Sequence, residues 1–345
     1  MYEKDGEKYF VVDGHTHFWD ASPENWVPGQ EEFAKGWIEC FHAYQGLGPA
    51  ETHWPIDRFQ KYSEELMMHD LFEVGHVDKA IFQPTNLRQW YVNGFNTTES
   101  DGAMAERHPG KFLVNTTFDP REGDAGMRAF EERVKRFGCK GVKLYTAEWR
   151  GDSRGWSLKD PESARYLEKC EELGVKNIHV HKGPTIWPLD KDAFDVSDVD
   201  YVATNFQGLN FIVEHVGLPR IEDFCFMATQ ERNVYAGLAV VVGGLMHARP
   251  KFFAKVMGEL MFWLGEDKLI FGADYAIWEP KWQVEGFVDW NMPEDEELSD
   301  FPPLTVAQKK KILGLNAARL YDIEVPEELR LAAPKVAEPV GVPNP

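Results

Sequence analysis

The sequence predicts an α/β protein: a (β/α)8 barrel of the TIM type with one long insertion after its first strand. Eight short runs rich in Val, Ile, Phe or Tyr recur along the 345 residues, each ending near Gly, Pro, Asn or Asp. Helix-sized segments separate them, the pattern of a parallel sheet, and closure into a barrel is the simplest arrangement at this length. No GxGxxG follows the first run, which leaves the doubly wound dinucleotide fold without its usual support.

The predicted strands are 10–17 (FVVDGHTH), 79–84 (KAIFQP), 111–118 (KFLVNTTF), 140–145 (KGVKLY), 176–181 (KNIHVH), 210–215 (NFIVEH), 233–238 (NVYAGL) and 268–274 (KLIFGAD). Helices are predicted where apolar residues recur every three or four positions. In 129–137, Phe130, Val134 and Phe137 share a face. In 162–173 the same is true of Tyr166, Leu167, Cys170 and Leu173, after a helix start at Asp160-Pro161. Further helices are expected at 58–74, 219–231, 251–264 and 305–321. The segment from Phe18 to Ile56 is too long for an ordinary connection and carries Trp19, Trp26, Trp37 and Trp54; such loops act as lids or binding elements. One domain is expected over 1–332, with a Pro-rich C-terminal tail at 333–345 that is extended or reaches a partner subunit.

Composition narrows the function. With 57 acidic and 37 basic residues the formal charge is −20, which argues against binding a phosphate backbone. No apolar run is long enough to span a bilayer, and MYEKDGEKYF lacks a secretory signal pattern, so a cytoplasmic protein without membrane attachment is expected. Cys40, Cys139, Cys170 and Cys225 are far apart, suggesting neither a zinc knuckle nor a disulfide framework. The acidic stretch Glu294 to Asp300 reads as a loop. A homo-oligomer, a dimer, is expected from the acidic surface and abundant Trp.

The chemistry-bearing residues collect at strand ends. His15 and His17 are two apart, so they share a strand face at the end where barrel enzymes build their sites. Two adjacent imidazoles can chelate one divalent ion. His179 and His181 end the fifth strand, His215 the sixth and Asp274 the eighth; five of the 11 histidines converge on one mouth. Around it, Trp19, Tyr145, Trp149, Trp187 and Trp278 predict an apolar cleft, a lid or an interface. Arg150 and Arg220 are candidates for a substrate carboxylate or for surface ion pairs.

VVDGHTHFWD, CKGVKLY, HVHKG, EHVG, NVYAGL, LIFGADYA and KILGLNAARLYDI, spread in order over residues 11–323, resemble the amidohydrolase superfamily. The likeness is to its amidohydrolase-related branch of hydrolases, lactonases and aromatic-acid decarboxylases. The resemblance implies that His15, His17, His181 and Asp274 hold one divalent ion, zinc by expectation, with manganese or iron as alternatives. His179 is then an alternative ligand or a partner behind one. Asp274 also handles a water proton, and His215 acts as acid or electrophile, or as a ligand in two-metal relatives. Lys143 is a pocket residue in one-metal relatives and a carbamylated bridge in two-metal ones; one metal is expected here. The pocket would include Lys143, Tyr145, Trp19, Trp187 and Trp278.

A metal-dependent hydrolase cutting a C–O or C–N bond of a small, partly apolar substrate is the leading expectation. A divalent ion would lower the pKa of a bound water from about 16 to about 7, and Asp274 would take its proton. The alternatives are a non-oxidative decarboxylase of an aromatic or unsaturated acid, and a non-catalytic accessory barrel with a structural metal. Ala276 stands where the decarboxylases often carry Pro.

Overall fold

The computed structural model describes residues 1–149, 154–187 and 189–331. Arg150 and the Pro-rich tail at 333–345 lie outside the described residues. The chain opens with an antiparallel hairpin of β1 (Tyr2–Lys4) and β2 (Glu7–Tyr9), which stands outside the eight expected strands. Asp5 and Gly6 turn it with φ of 53° and 80°, the conformation that favours Asp-Gly in two-residue turns.

The barrel strands follow as β3 (Val12–Thr16), β4 (Lys79–Phe82), β5 (Phe112–Val114), β6 (Gly141–Leu144), β7 (Asn177–His181), β8 (Asn210–Glu214), β9 (Val234–Gly237) and β10 (Leu269–Ile270). Each lies inside its predicted run. β3 to β5 form one parallel set and β6 to β10 another. Hydrogen bonds join the sets at both seams. Thr116 N–H donates to Gly141 O at 3.0 Å and Lys143 N–H to Thr116 O at 2.8 Å. Gly14 N–H donates to Phe271 O at 3.0 Å, Asp274 N–H to His15 O at 3.0 Å and His17 N–H to Tyr275 O at 2.8 Å. The second seam brings the end of the last strand against the first, which places Asp274 beside His15 and His17.

Helices Gly123–Phe137, Pro161–Leu173, Ile221–Ala228 and Pro250–Trp263 lie where the periodicity predicts them. Two predicted helices are divided. The 58–74 stretch becomes helices Ile56–Gln60 and Glu64–Met68 and a widened turn at His69–Glu73. Ser63 causes the break: its hydroxyl accepts the Leu66 N–H at 3.2 Å and starts a new helix. The 305–321 stretch starts with a capping box of Thr305 and Gln308, widens at Lys311–Leu315 and resumes at Asn316–Tyr321. There Gly314 lies so close to β3 that a Cβ would sit 2.0 Å from Phe10 O. The closing helix thus reaches the barrel floor, where Tyr321 inserts its ring.

The 18–56 insertion is ordered around helix Glu31–Tyr44, which buries Ala34, Trp37, Ile38 and Phe41 at the expected three- and four-residue spacing. The insertion spans the C-terminal mouth of the barrel. Trp37 meets Tyr145 of the loop after β6 at 6.0 Å between ring centroids, and Phe33 stacks on Trp187 after β7 at 5.8 Å. Trp54 Nε1 donates to Glu279, after β10, at 3.2 Å. Full burial of Trp37, Ile38 and Phe41 contributes about 1.5–3 kcal/mol each, so this helix is a fixed roof and not a loose flap. Glu296–Leu298 makes one short turn within the acidic loop at 294–300. The four cysteines are free thiols. No helix among the described residues is long and apolar enough to cross a membrane.

Candidate metal centre

His15, His215 and Asp274 form a compact group whose ligand atoms all lie within 4.8 Å of one another. His15 and His17 stand at the end of β3, His215 follows β8 and Asp274 follows β10. His215 and Asp274 take left-handed backbone, with φ of 65° and 60°. Such conformations are uncommon outside Gly and concentrate at functional sites. Here they turn both side chains inward past the strand ends. His17 Nε2 is 3.4 Å from Asp274 Oδ1 and His15 Nε2 is 3.7 Å from it. His181 Nδ1 faces His215 Nε2 at 3.2 Å, so His181 meets the group through His215.

Every imidazole is anchored on its outer nitrogen. His15 Nδ1 lies 2.8 Å from Glu214 Oε2, His17 Nδ1 3.2 Å from Asn96 Oδ1, and His215 Nδ1 2.9 Å from Ala239 O. Asn96 is fixed in that orientation because its Nδ2 donates to Asp101 Oδ1 at 2.7 Å. His181 Nε2 lies 3.3 Å from Pro184 O. Each anchor is an acceptor, so each ring carries its proton outward and turns a lone pair inward. Burial keeps the rings of His15, His181 and His215 neutral: it pushes His15 down to about 3 and also lowers His181 and His215. Facing lone pairs, as in His181 with His215 and His17 with the Asp274 carboxylate, repel one another unless a cation lies among them. The donor set therefore fits a divalent ion.

Lys143 is the buried cation of this cluster, with Nζ 3.2 Å from His15 Nε2. Burial lowers its pKa to about 8, against the pull of Glu214 and Asp274. The neutral His215 ring has no proton on Nε2, so an oxyanion-steadying role there requires an imidazolium. His179 lies one layer deeper, as a same-face residue two positions before His181 should. Its Nδ1 is 2.5 Å from Glu214 Oε1, and its Nε2 is 2.6 Å from the Tyr321 hydroxyl. Both nitrogens are thus engaged away from Asp274.

Three buried polar residues are absent from the sequence expectations. Glu214 joins His15 to His179. Burial opposes its charge, but the electrostatic pull of His15 and of the Lys143 ammonium, with the hydrogen bonds from the His15 and His179 imidazoles, outweighs that and holds its carboxyl well below the usual range. Asp13 accepts from the His15 N–H at 3.1 Å and the Ala273 N–H at 2.8 Å, tying the first strand to the last. Burial raises its pKa to about 7, against those two hydrogen bonds. Asn96 sets the His17 tautomer. A carboxylate inside an apolar strand run, as in NFIVE and VVDG, is the signal that marks the first two.

The predicted pocket aromatics divide. Tyr145 stacks on His181 at 4.5 Å and 18°. Trp19 lies 6.2 Å from His17, but it is buried among Phe41, Phe59, Tyr62 and Phe95 and donates to Phe59 O at 2.7 Å. It is a wall behind His17, not the lining of an open cleft. Trp278 packs against Gly48 and Gly243, and Trp187 is 48% exposed on the outer side of Phe33 and Gly36. Arg220 pairs at the surface with Asp195 and Asp223, both at 2.6 Å, which accounts for its charge without a substrate. His15, His17, His181, His215 and Asp274 are at most 4% exposed, so the mouth is roofed.

The Amidohydrolase family model (Amidohydro_2) matches residues 12–323. The chain belongs to that family. Family members are metal-dependent enzymes, decarboxylases and hydrolases among them. No curated protein matches the chain significantly in sequence. Among solved structures, an uncharacterized TIM-barrel protein from Bordetella bronchiseptica is similar with a TM-score of 0.63 and 18% identity, covering 91% of this chain and 98% of its own. A 5-carboxyvanillate decarboxylase from Novosphingobium aromaticivorans, complexed with manganese, gives 0.57 and 14%, covering 91% and 96%. A probable 2-pyrone-4,6-dicarboxylic acid hydrolase from Acinetobacter baumannii gives 0.55 and 12%, covering 90% and 99%. At these identities the likeness establishes the barrel of this amidohydrolase.

Proposed function

We propose that this amidohydrolase is a hydrolase dependent on one divalent ion, zinc, and that it cuts a C–O or C–N bond in a small, partly apolar ester, lactone or amide. The inward-facing lone pairs of His15, His17, His181 and His215 around the Asp274 carboxylate carry this reading. His15, His17 and Asp274 would hold the ion, with the remaining imidazole coming from the His181–His215 pair. A bound divalent ion supplies Lewis acidity and lowers the pKa of a coordinated water to about 7. Asp274 is the carboxylate within reach to accept the water proton and return it to the leaving group. Lys143, a buried ammonium beside His15, can donate to the oxygen that becomes negative on the attacked carbonyl. The roof limits bulk water at the reacting bond.

Elemental analysis of protein purified without chelators or nickel resin tests the centre. About one zinc per chain is expected, lost in His15→Ala/His17→Ala; a full metal complement in that double variant would sink the assignment. A screen of lactones, esters and amides then tests the reaction.

The second reading is non-oxidative decarboxylation of an aromatic or unsaturated acid. The enclosed aromatic roof and the buried Lys143 cation favour it, because both suit a flat carboxylate. CO₂ release from hydroxybenzoates, without turnover of any ester or lactone, would establish it over hydrolysis.

Glu214→Gln tests the support behind His15. The variant keeps the side-chain size and removes the charge between His15 and His179. Metal affinity, read by competition with a chelator, should weaken about 10- to 100-fold. Wild-type affinity would mean that Glu214 serves the barrel core alone.

A further inference from the structure

A line of buried hydrogen bonds crosses the barrel interior from its floor to the metal centre, and one backbone carbonyl fixes its direction. Gln83, directly after β4, donates its Nε2–H to Gly14 O of β3 at 2.7 Å, which leaves its Oε1 as an acceptor. Asn115, directly after β5, therefore turns Nδ2 toward that oxygen, at 3.1 Å, and the same nitrogen donates to the Tyr321 hydroxyl oxygen at 2.8 Å. With its oxygen accepting, the hydroxyl still has its own proton to place. Its nearest acceptor is His179 Nε2 at 2.6 Å; Asn115 Oδ1 is farther, at 3.2 Å. His179 Nδ1 lies between two groups, the Glu214 carboxylate at 2.5 Å and the Gln83 amide at 3.1 Å. The carboxylate is closer and charged, so it takes the Nδ1 proton. The other carboxylate oxygen holds His15 Nδ1 at 2.8 Å. Gln83, Asn115, His179, Glu214 and Tyr321 are at most 2% exposed, so bulk water does not substitute for these bonds.

We propose that Tyr321, on the closing helix at the barrel floor, is a positioning residue for the metal ligand His15, acting through His179 and Glu214. This goes beyond the proposed reaction and rests on the metal-centre reading above. The His179 ring is pinned at both nitrogens. The hydroxyl closes Nε2, and a ring nitrogen that accepts a hydrogen bond makes the opposite N–H a better donor. Nδ1–H then secures Glu214, whose second oxygen sets the His15 ring with its Nε2 toward Asp274. Without the hydroxyl, Nε2 is left buried and unpaired, and the ring is free to tilt away from the carboxylate. Packing at the floor needs only the Tyr321 ring; the hydroxyl serves the line of bonds.

The test compares full-length wild type with Tyr321→Phe, which keeps the ring and removes the hydroxyl. Zinc affinity, read by competition with a chelator, should weaken about 3- to 10-fold, the effect of one neutral hydrogen bond and less than that of a partner touching the ligand. Equal affinity in the two proteins overturns the Tyr321 assignment and leaves the metal centre standing. Wild type that binds no zinc overturns the centre, and the Tyr321 assignment with it. The same substitution in a His179→Asn background separates positioning from packing. There the new amide can meet Glu214 but offers no second ring nitrogen for the hydroxyl to close, so Tyr321→Phe should change zinc affinity by less than about twofold. An equal loss in both backgrounds overturns the proposal. Proton NMR of metal-free protein reads the line itself. The downfield His179 Nδ1–H resonance, identified by its absence from His179→Asn, should move upfield in Tyr321→Phe and exchange with solvent about 3- to 10-fold faster. An unchanged resonance overturns the proposal. Zinc titration of wild type avoids any folding defect of the variants: the same resonance should shift in step with zinc binding, and a resonance indifferent to zinc overturns the proposal.

Discussion

Asp274→Asn should leave the barrel folded and lower kcat/KM by about 100- to 10,000-fold on any substrate that wild type turns over, the usual contribution of a positioned acid–base group. The substitution is chosen for its backbone. Asp274 sits at φ 60°, a conformation that Asn tolerates nearly as well as Asp and that most residues do not. Its N–H bond to His15 O across the barrel seam is untouched. What changes is the side chain: an amide cannot accept the water proton, and it offers a weaker ligand beside His15 and His17. Metal content must be measured on the same preparation. A variant that binds metal normally and has lost its activity identifies proton transfer as the missing step. A variant that has lost both identifies ligation. A variant that holds metal and retains more than about a tenth of wild-type kcat/KM would remove Asp274 from the chemistry.

The sequence carries much of this site because the chemistry falls on residues that are rare in strands. His15 and His17 stand two apart at the end of β3, and strand geometry alone puts them on one face. The eight predicted runs hold the eight barrel strands, since fully buried strands read as continuous apolar segments. Glu214 and Asp13 are harder to read. Each is a single carboxylate whose apolar strand run marks it as buried, but only the hydrogen bonds across the barrel, to His15 and His179 or to Ala273, show what it supports. The division of labour between His181 and His215 depends on Pro184 and Ala239 carbonyls, which no side-chain pattern encodes. The roof helix is a different case. Ala34, Trp37, Ile38 and Phe41 have helical spacing, yet the length of the 18–56 insertion suggests a loop. Its role becomes visible only when Trp37 and Phe33 are seen against Tyr145 and Trp187.

Asp198→Ala should cost about 3–5 kcal/mol of stability, because it leaves the Lys182 ammonium buried and unpaired. Lys182 directly follows His181 and is 1% exposed; its Nζ lies 2.8 Å from Asp198 Oδ1 and 2.9 Å from Ala193 O. Asp198 Oδ2 also accepts the Leu158 N–H at 3.1 Å, so one carboxylate ties together the loops after β6 and β7. For a chain of this length the thermal midpoint should fall by roughly 4–7 °C. Lys182→Met/Asp198→Leu removes both charges and should lose less than the single substitution, although it gives up the Leu158 bond. A single variant as stable as wild type would mean that water reaches Lys182 and the pair contributes little. The functional consequence follows from chain order. His181 Nδ1 meets His215 from the end of β7, directly before the anchored Lys182, so Asp198→Ala should also weaken metal retention, whereas the charge-free double variant should retain more of it. A loss of stability with unchanged metal affinity would separate the loop anchor from the metal centre and leave the position of His181 to strand β7 alone.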